Sequence, residues 1–195
     1  MIKLVLSFLF GIGVATVAWE GYQTKHDYDA VAQQWRNVVR IDRLRCASIR
    51  SLMAALKRAS YETETTQSVG TDLDDLTRRG EEEIVALPVK FEMYDRARKR
   101  LSSDLKEFTT SVRSDRAFVS KSDLIPVVSQ IEGTESVAVR AEYDYEVAAE
   151  KYMRHANAPM RVAAHRLGLL PAEIGRFEAF AEAGPEMPDL ETDDD

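Results

Sequence analysis

The side chains best placed for chemistry are carboxylates. Glu132-x-x-Glu135 and Glu142-x-x-x-Glu146 set four of them along one stretch of chain, at spacings that share a helix face. Helical bundles that hold bridged metal ions use such arrays, but complete them with Glu-x-x-His pairs on two helices, and the chain has none. The three histidines, His26, His155 and His165, include no pair at helical metal-ligand spacing, and Pro159 separates the last two. Gly11-Ile12-Gly13 lies inside an apolar run, whereas a phosphate loop would follow a strand and open a helix. No nucleophile elbow, P-loop or kinase signature occurs. Cys46 is the sole cysteine, which excludes an internal disulfide and a thiolate cluster. The residues therefore predict no catalytic, cofactor-binding or metal site, and a protein that is not an enzyme.

Glu135 falls between Ile131 and Ala138 on an apolar stripe, where an unpartnered charge would be costly. An internal ion pair or a partly exposed helix edge would resolve it. A second charged pattern is basic. Arg36, Arg40, Arg43, Arg50 and Lys57 fall, with Arg58, within an arc of about 100° on one side of a helix. That arc reads either as a solvated face or as a docking stripe for acidic lipid headgroups or an acidic partner helix.

Elements must carry these residues. The chain has 195 residues, 45% hydrophobic and 30% charged, which suits one folded domain, and 9 Gly with 6 Pro argue against a turn-rich β architecture. Net charge is -7, yet eight of the 33 acids and none of the 26 bases lie in residues 177–195, which leaves the rest at +1. Such a body gives no basis for nucleic-acid binding.

Leu4 to Trp19 is uncharged and is the most hydrophobic window. Its sixteen residues span about 24 Å, short of a ~30 Å hydrocarbon core, with Ile2 and snorkelling by Lys3 extending it. We read residues 1–22 as a retained single-pass transmembrane anchor. A signal peptide cleaved after Thr16-Val17-Ala18 is the competing reading, weakened by the poor site and the very short basic region. Ser7, Gly11 and Ala15 recur every four residues and would let two anchors approach as a homo-oligomer. The positive-inside count is close to a tie, with the extracytoplasmic side preferred for the soluble part.

Behind the anchor, Val31, Trp35, Val38, Ile41, Ile49, Leu52, Leu56 and Ala59 predict a helix from Tyr28 to Ala59. The polar stretch Thr63 to Gly80 reads as a long connection or frayed helix end. Phe91, Tyr94, Ala97, Leu101, Leu105, Phe108 and Val112 predict a second helix, with Pro88 at its start. A third runs from a cap at Ser122 or Asp123 to about Asn157, turning Leu124, Val127, Val128, Ile131, Ala138, Tyr145, Ala149 and Tyr152 inward. A short fourth helix follows Pro159, over Met160 to Leu167. Leu169, Leu170, Ile174, Phe177 and Phe180 then come in broken pieces, and residues 183–195 form an acidic tail expected to be disordered. The fold expected is all-α: an antiparallel, coiled-coil-like bundle of three long helices plus a short C-terminal helix over residues 23–182, preceded by the transmembrane helix.

Within Gln130 to Leu169, Glu132, Thr134 and Glu135, then Tyr145 and Tyr152, then Pro159, Ala164 and Gly168, resemble the C-terminal signature of the LemA family. Phe177-Glu178-Ala179 is similar to that family's Phe-Glu-Ala, and Trp35, Ile49, Leu52, Leu56 and Lys57 keep the spacing of its first long helix. Glu146 and Met153 stand where the family usually has Asn, Arg50 where its first helix has proline, and Leu169 where it has Phe. The resemblance implies an N-terminal membrane anchor and an all-α bundle, and it supplies no settled activity. Two functions are then expected: an interaction or scaffold protein of the bacterial cell envelope with an unknown protein partner, or a lipid or small-ligand binding module that uses apolar residues after Leu167 as a membrane-proximal groove.

Overall fold

The computed structural model describes residues 2–58, 63–80, 84–114, 125–155 and 158–178, with side chains from residue 16 onward except Ile84 and Val127. Helix α1 is Ile2–Arg58, α2 Glu64–Arg79, α3 Pro88–Ser114, α4 Ile125–Arg154 and α5 Pro159–Arg166; one 3₁₀ turn, Ile84–Ala86, precedes α3. Among the described residues there is no strand.

Two expectations change. The helix expected to begin at Tyr28 begins earlier: the apolar run Leu4 to Trp19 and the residues up to Arg58 form one helix of 57 residues, Ile2–Arg58. Thr63 to Gly80, read as a connection, is α2. Its polar composition hides a narrow stripe of Thr66, Val69, Leu73 and Leu76, all buried, with the spacing of one helix face. Thr63 starts the helix with a reciprocal cap: its Oγ1 accepts from Thr66 N at 3.2 Å and its N–H donates to Thr66 Oγ1 at 2.9 Å.

The other helices fall where the periodicity puts them. Pro88 opens α3, where its missing N–H costs nothing. The inward set of α3 is buried throughout, as are Val128, Ile131, Ala138, Tyr145, Ala149 and Tyr152 of α4. The cap at Ser122 or Asp123, Leu124, the side chain of Val127, Ala59, Asn157, Phe180 and the tail 183–195 lie outside the described residues.

Contacts fix the directions. Asp27 meets Lys151 and Arg45 meets Glu135, so α1 and α4 run antiparallel. Asp75 meets Arg100 while Gly80 lies against Tyr94, which makes α2 antiparallel to α3. Arg113 meets Glu132, and Arg98 meets Glu142, which sets α3 antiparallel to α4. The result is an up-down-up-down four-helix bundle, with α2 as the member absent from the expected three. Its centre is aromatic: Trp35 lies 5.0 Å from Phe91, 5.2 Å from Tyr94 and 5.6 Å from Tyr145.

Phe177 joins that cluster 5.0 Å from Phe91, from a strap over residues 171–178 that returns along the bundle after α5. The turn into the strap needs Gly168, whose φ of 69° ends α5 as Leu169 N–H reaches Ala164 O at 2.9 Å. Gly175 is required by space: a Cβ there would stand 2.1 Å from the Phe91 ring.

Among the described residues no helix is long and apolar enough to cross a membrane. The run Leu4 to Trp19 lies within α1, but the side chains of residues 2–15, including Ser7, Gly11 and Ala15, are outside the description.

Candidate functional site

Most buried positions of α1 and α3 follow a seven-residue repeat. On α1 it runs through Val31, Trp35, Val38, Asp42, Arg45, Ile49, Leu52 and Leu56; on α3, through Phe91, Tyr94, Arg98, Leu101, Leu105, Phe108 and Val112, with Val39, Cys46, Asp95 and Ala97 buried beside it. On α4 the same alternation of three and four runs from Val128 through Ile131, Glu135, Ala138, Glu142 and Tyr145 to Tyr152. Charged residues occupy seam positions on all three helices at one level, and they meet.

Arg98 is 2% exposed and donates from Nε to Asp42 Oδ2 at 2.6 Å. Its Nη1 pairs with Glu142, and its Nη2 reaches Ala138 O at 3.4 Å. The Tyr94 hydroxyl donates to the same Asp42 Oδ2. Arg45 grips Glu135 with Nε and with Nη2, the latter at 2.7 Å, and the Ser102 hydroxyl bridges them, accepting from Arg45 at 2.7 Å and donating to Glu135 at 3.1 Å. Arg45 Nη1 stands 3.9 Å from Asp42 Oδ1 and links the two halves.

Glu135 thus resolves both ways anticipated for it: it is ion-paired and its side chain remains 28% exposed. Burial, then the Asp42 charge, pushes the Tyr94 phenol well above its ordinary value, which keeps it a donor. For Arg98 burial acts downward, but Asp42 and Tyr94 outweigh it and the guanidinium is held above its ordinary value. The layer sets two guanidiniums against three carboxylates.

A second polar group clasps the strap. Glu146, fully buried, accepts from Phe177 N–H at 2.6 Å and from Arg176. Burial raises its pKa, with the Phe177 N–H and Arg176 pulling the other way. Tyr145 donates to Gly175 O at 2.6 Å and Tyr152 to Pro171 O at 2.8 Å. Arg161 lies 3.7 Å over the Tyr152 ring and reaches Ala172 O at 3.2 Å. Tyr145 and Tyr152 are therefore strap anchors, and Glu146 is one too.

Arg36, Arg40, Arg43, Arg50 and Lys57 are all exposed along α1. Arg40 donates to Asn37 and Arg50 to Thr77, each at 2.9 Å. His26, His155 and His165 are exposed and lie apart from the layer. Among the described residues, no three His, Cys, Asp or Glu side chains gather as metal ligands do.

Two recesses border these features. One of about 190 Å³ lies between α1, α2 and α3 and includes Asp42, Cys46, Tyr94 and Thr77 in its wall; burial raises the Cys46 thiol, opposed by a hydrogen bond with Thr77. Another, about 320 Å³, lies where α1 meets the end of α4, with Trp19, Thr24, Asp27, Lys151 and His155 around it. The residues after Leu167 form neither: Leu167 and Leu169 are 73% and 71% exposed, while Ile174 and Phe177 are core.

Periodicity read for apolar residues alone skips Asp42, Arg45 and Arg98. The available signal was the phase of the repeat, which continues unbroken through those charges. No protein-family model, characterised protein or solved structure matches the chain.

Proposed function

We propose that the chain is a LemA-like, membrane-tethered helical bundle of the bacterial cell envelope that acts as an interaction or scaffold protein and not as an enzyme. The observation that carries the reading is the continuity of α1, which joins the apolar run to the bundle core in one helix. At 1.5 Å per residue it is a rod of about 85 Å with no hinge. Trp19 and Tyr22, 63% and 62% exposed, stand where the run ends, the place at which aromatic side chains favour a membrane interface. Leu167 and Leu169 project from the same end of the bundle, just after α5, whose Met160 packs within 3.5 Å of a Cβ built on Gly21.

Helix continuity also bears on the basic stripe. Arg36 lies about 25 Å and Lys57 about 57 Å along α1 from Trp19, several Debye lengths away, so an upright rod presents the stripe to an acidic partner helix and not to lipids of its own membrane.

A second reading, a lipid headgroup or small-ligand module, draws support from the recess beside Trp19, where Lys151 Nζ sits 2.8 Å from buried Asp27. One flotation experiment with the full chain and anionic vesicles addresses both. Leu9→Arg with Ile12→Arg should release the protein from the vesicles, since each arginine costs about 2.5 to 3.5 kcal/mol in a bilayer centre. Lys151→Gln should matter only if the recess binds headgroups. Undiminished flotation of the double variant would remove the anchor.

A further inference from the structure

We propose that the groove between α3 and α4 is a peptide-binding site, which the strap fills as a tethered stand-in for an extended partner segment patterned apolar-Gly-basic-aromatic, as in Ile174-Gly175-Arg176-Phe177. The strap is held as a bound peptide is held. Residues 171–177 form neither helix nor strand, and much of their backbone bonding is with side chains of the helices. Tyr152 donates to Pro171 O, Arg161 to Ala172 O and Tyr145 to Gly175 O. Glu146 accepts from Phe177 N–H and Asp95 from Glu178 N–H, the latter at 3.2 Å, while Gly175 N–H reaches Val85 O at 2.9 Å. Main-chain bonds for affinity and side-chain pockets for specificity are how extended peptides are recognised.

Each position of the pattern has its own cause. Ile174 and Phe177 are buried anchors, and the Phe177 ring lies 5.4 Å from the Arg98 guanidinium as well as against Phe91. Gly175 passes the Phe91 ring where a Cβ would stand 2.1 Å away, so a side chain does not fit. Arg176 pairs with the fully buried Glu146 carboxylate, and Glu178 pairs with Lys99 on α3 at 2.7 Å. The pairings of α1 with α4 and of α2 with α3 do not run through the strap, so a local opening can leave them in place. It would bare a carboxylate beside an aromatic pocket, which selects a cation next to an aromatic ring. The proposal rests on the reading of the chain as an interaction protein, and names the surface and the chemistry of the partner.

Fluorescence anisotropy of a labelled peptide of residues 171–178, titrated with the full chain, tests it. Arg176→Gln in the chain loosens the strap and removes no core atoms. That variant should bind the peptide about tenfold more tightly than wild type, whose own strap competes at a roughly millimolar effective concentration. Gly175→Ala in the chain should open the groove further; if that variant fails to fold, Arg176→Gln still decides. The peptide carrying Gly175→Ala should not bind. Equal binding by wild type and Arg176→Gln, equal binding of the two peptides, or no binding at all would each overturn the site. Dimerisation of the Arg176→Gln chain with no peptide bound would give the groove to the strap of a second copy and overturn the partner. The measurement needs no membrane, so its failure would leave the tether to the flotation experiment.

Discussion

Arg98 and Arg45 illustrate how two ion pairs of the same chemistry differ in consequence. Arg98 and Asp42 are both almost fully buried, so Arg98→Met would leave the Asp42 charge with a phenol as its main partner. Breaking such a pair costs about 3 to 5 kcal/mol. Arg45→Met should cost less, about 1 to 2 kcal/mol, because Glu135 can turn its exposed edge to water. Urea denaturation of both variants checks the order, and an equal loss would mean that Asp42 is solvated through the recess. Glu146 gives a pH dependence of definite sign. Its folded-state pKa lies above the ordinary Glu value, so the folded chain binds more protons in that interval and stability should rise as pH falls through it. Wild type should gain on Glu146→Gln as pH is lowered from neutrality toward the ordinary Glu value; a gap that widens against wild type would reverse the assigned cause. Of these residues only Glu135 was legible as a problem in need of a partner. Its partner was not, since Arg45 lies 90 positions away and nothing local couples them.

At the level of elements, the sequence reads best where a stripe is wide. The stripes of α1, α3 and α4 carry Trp35, Phe91 and Tyr145, and most of their apolar inward residues are legible, although Ile41 is only half-buried because Asp42 takes the seam position beside it. In α2 the stripe is narrow and partly threonine, so mean polarity obscures both the helix and the four-helix count. The strap is illegible for a different reason: it has no period, and Gly175 and Phe177 acquire their positions only from contacts with Phe91 and Glu146. The seam of α4 offers the sharper check of the packing. Ala149 is fully buried, while Ala148 is partly buried beside the core. Ala149→Leu should therefore cost about 1 to 3 kcal/mol by overpacking, and Ala148→Leu clearly less. Equal melting temperatures would mean that the face of α4 turned inward is wrong, and with it the role of Tyr145 and Tyr152 in holding the strap.

For the whole molecule, α1 joins the apolar run to the ionic layer, and the role proposed for it is to hold an interaction surface at a distance from a membrane. The buried charges suit that role, because polar residues at seam positions fix register at some expense of stability. The rod would have no such meaning if the apolar run were removed after synthesis. Mass spectrometry of the mature protein, recovered from membrane and soluble fractions, is the most direct test. We predict a membrane-bound chain that retains Leu4 to Trp19 and needs detergent for release. A mature chain that begins at Trp19 or close to it, in the soluble fraction, would contradict the tethered rod and leave a secreted bundle.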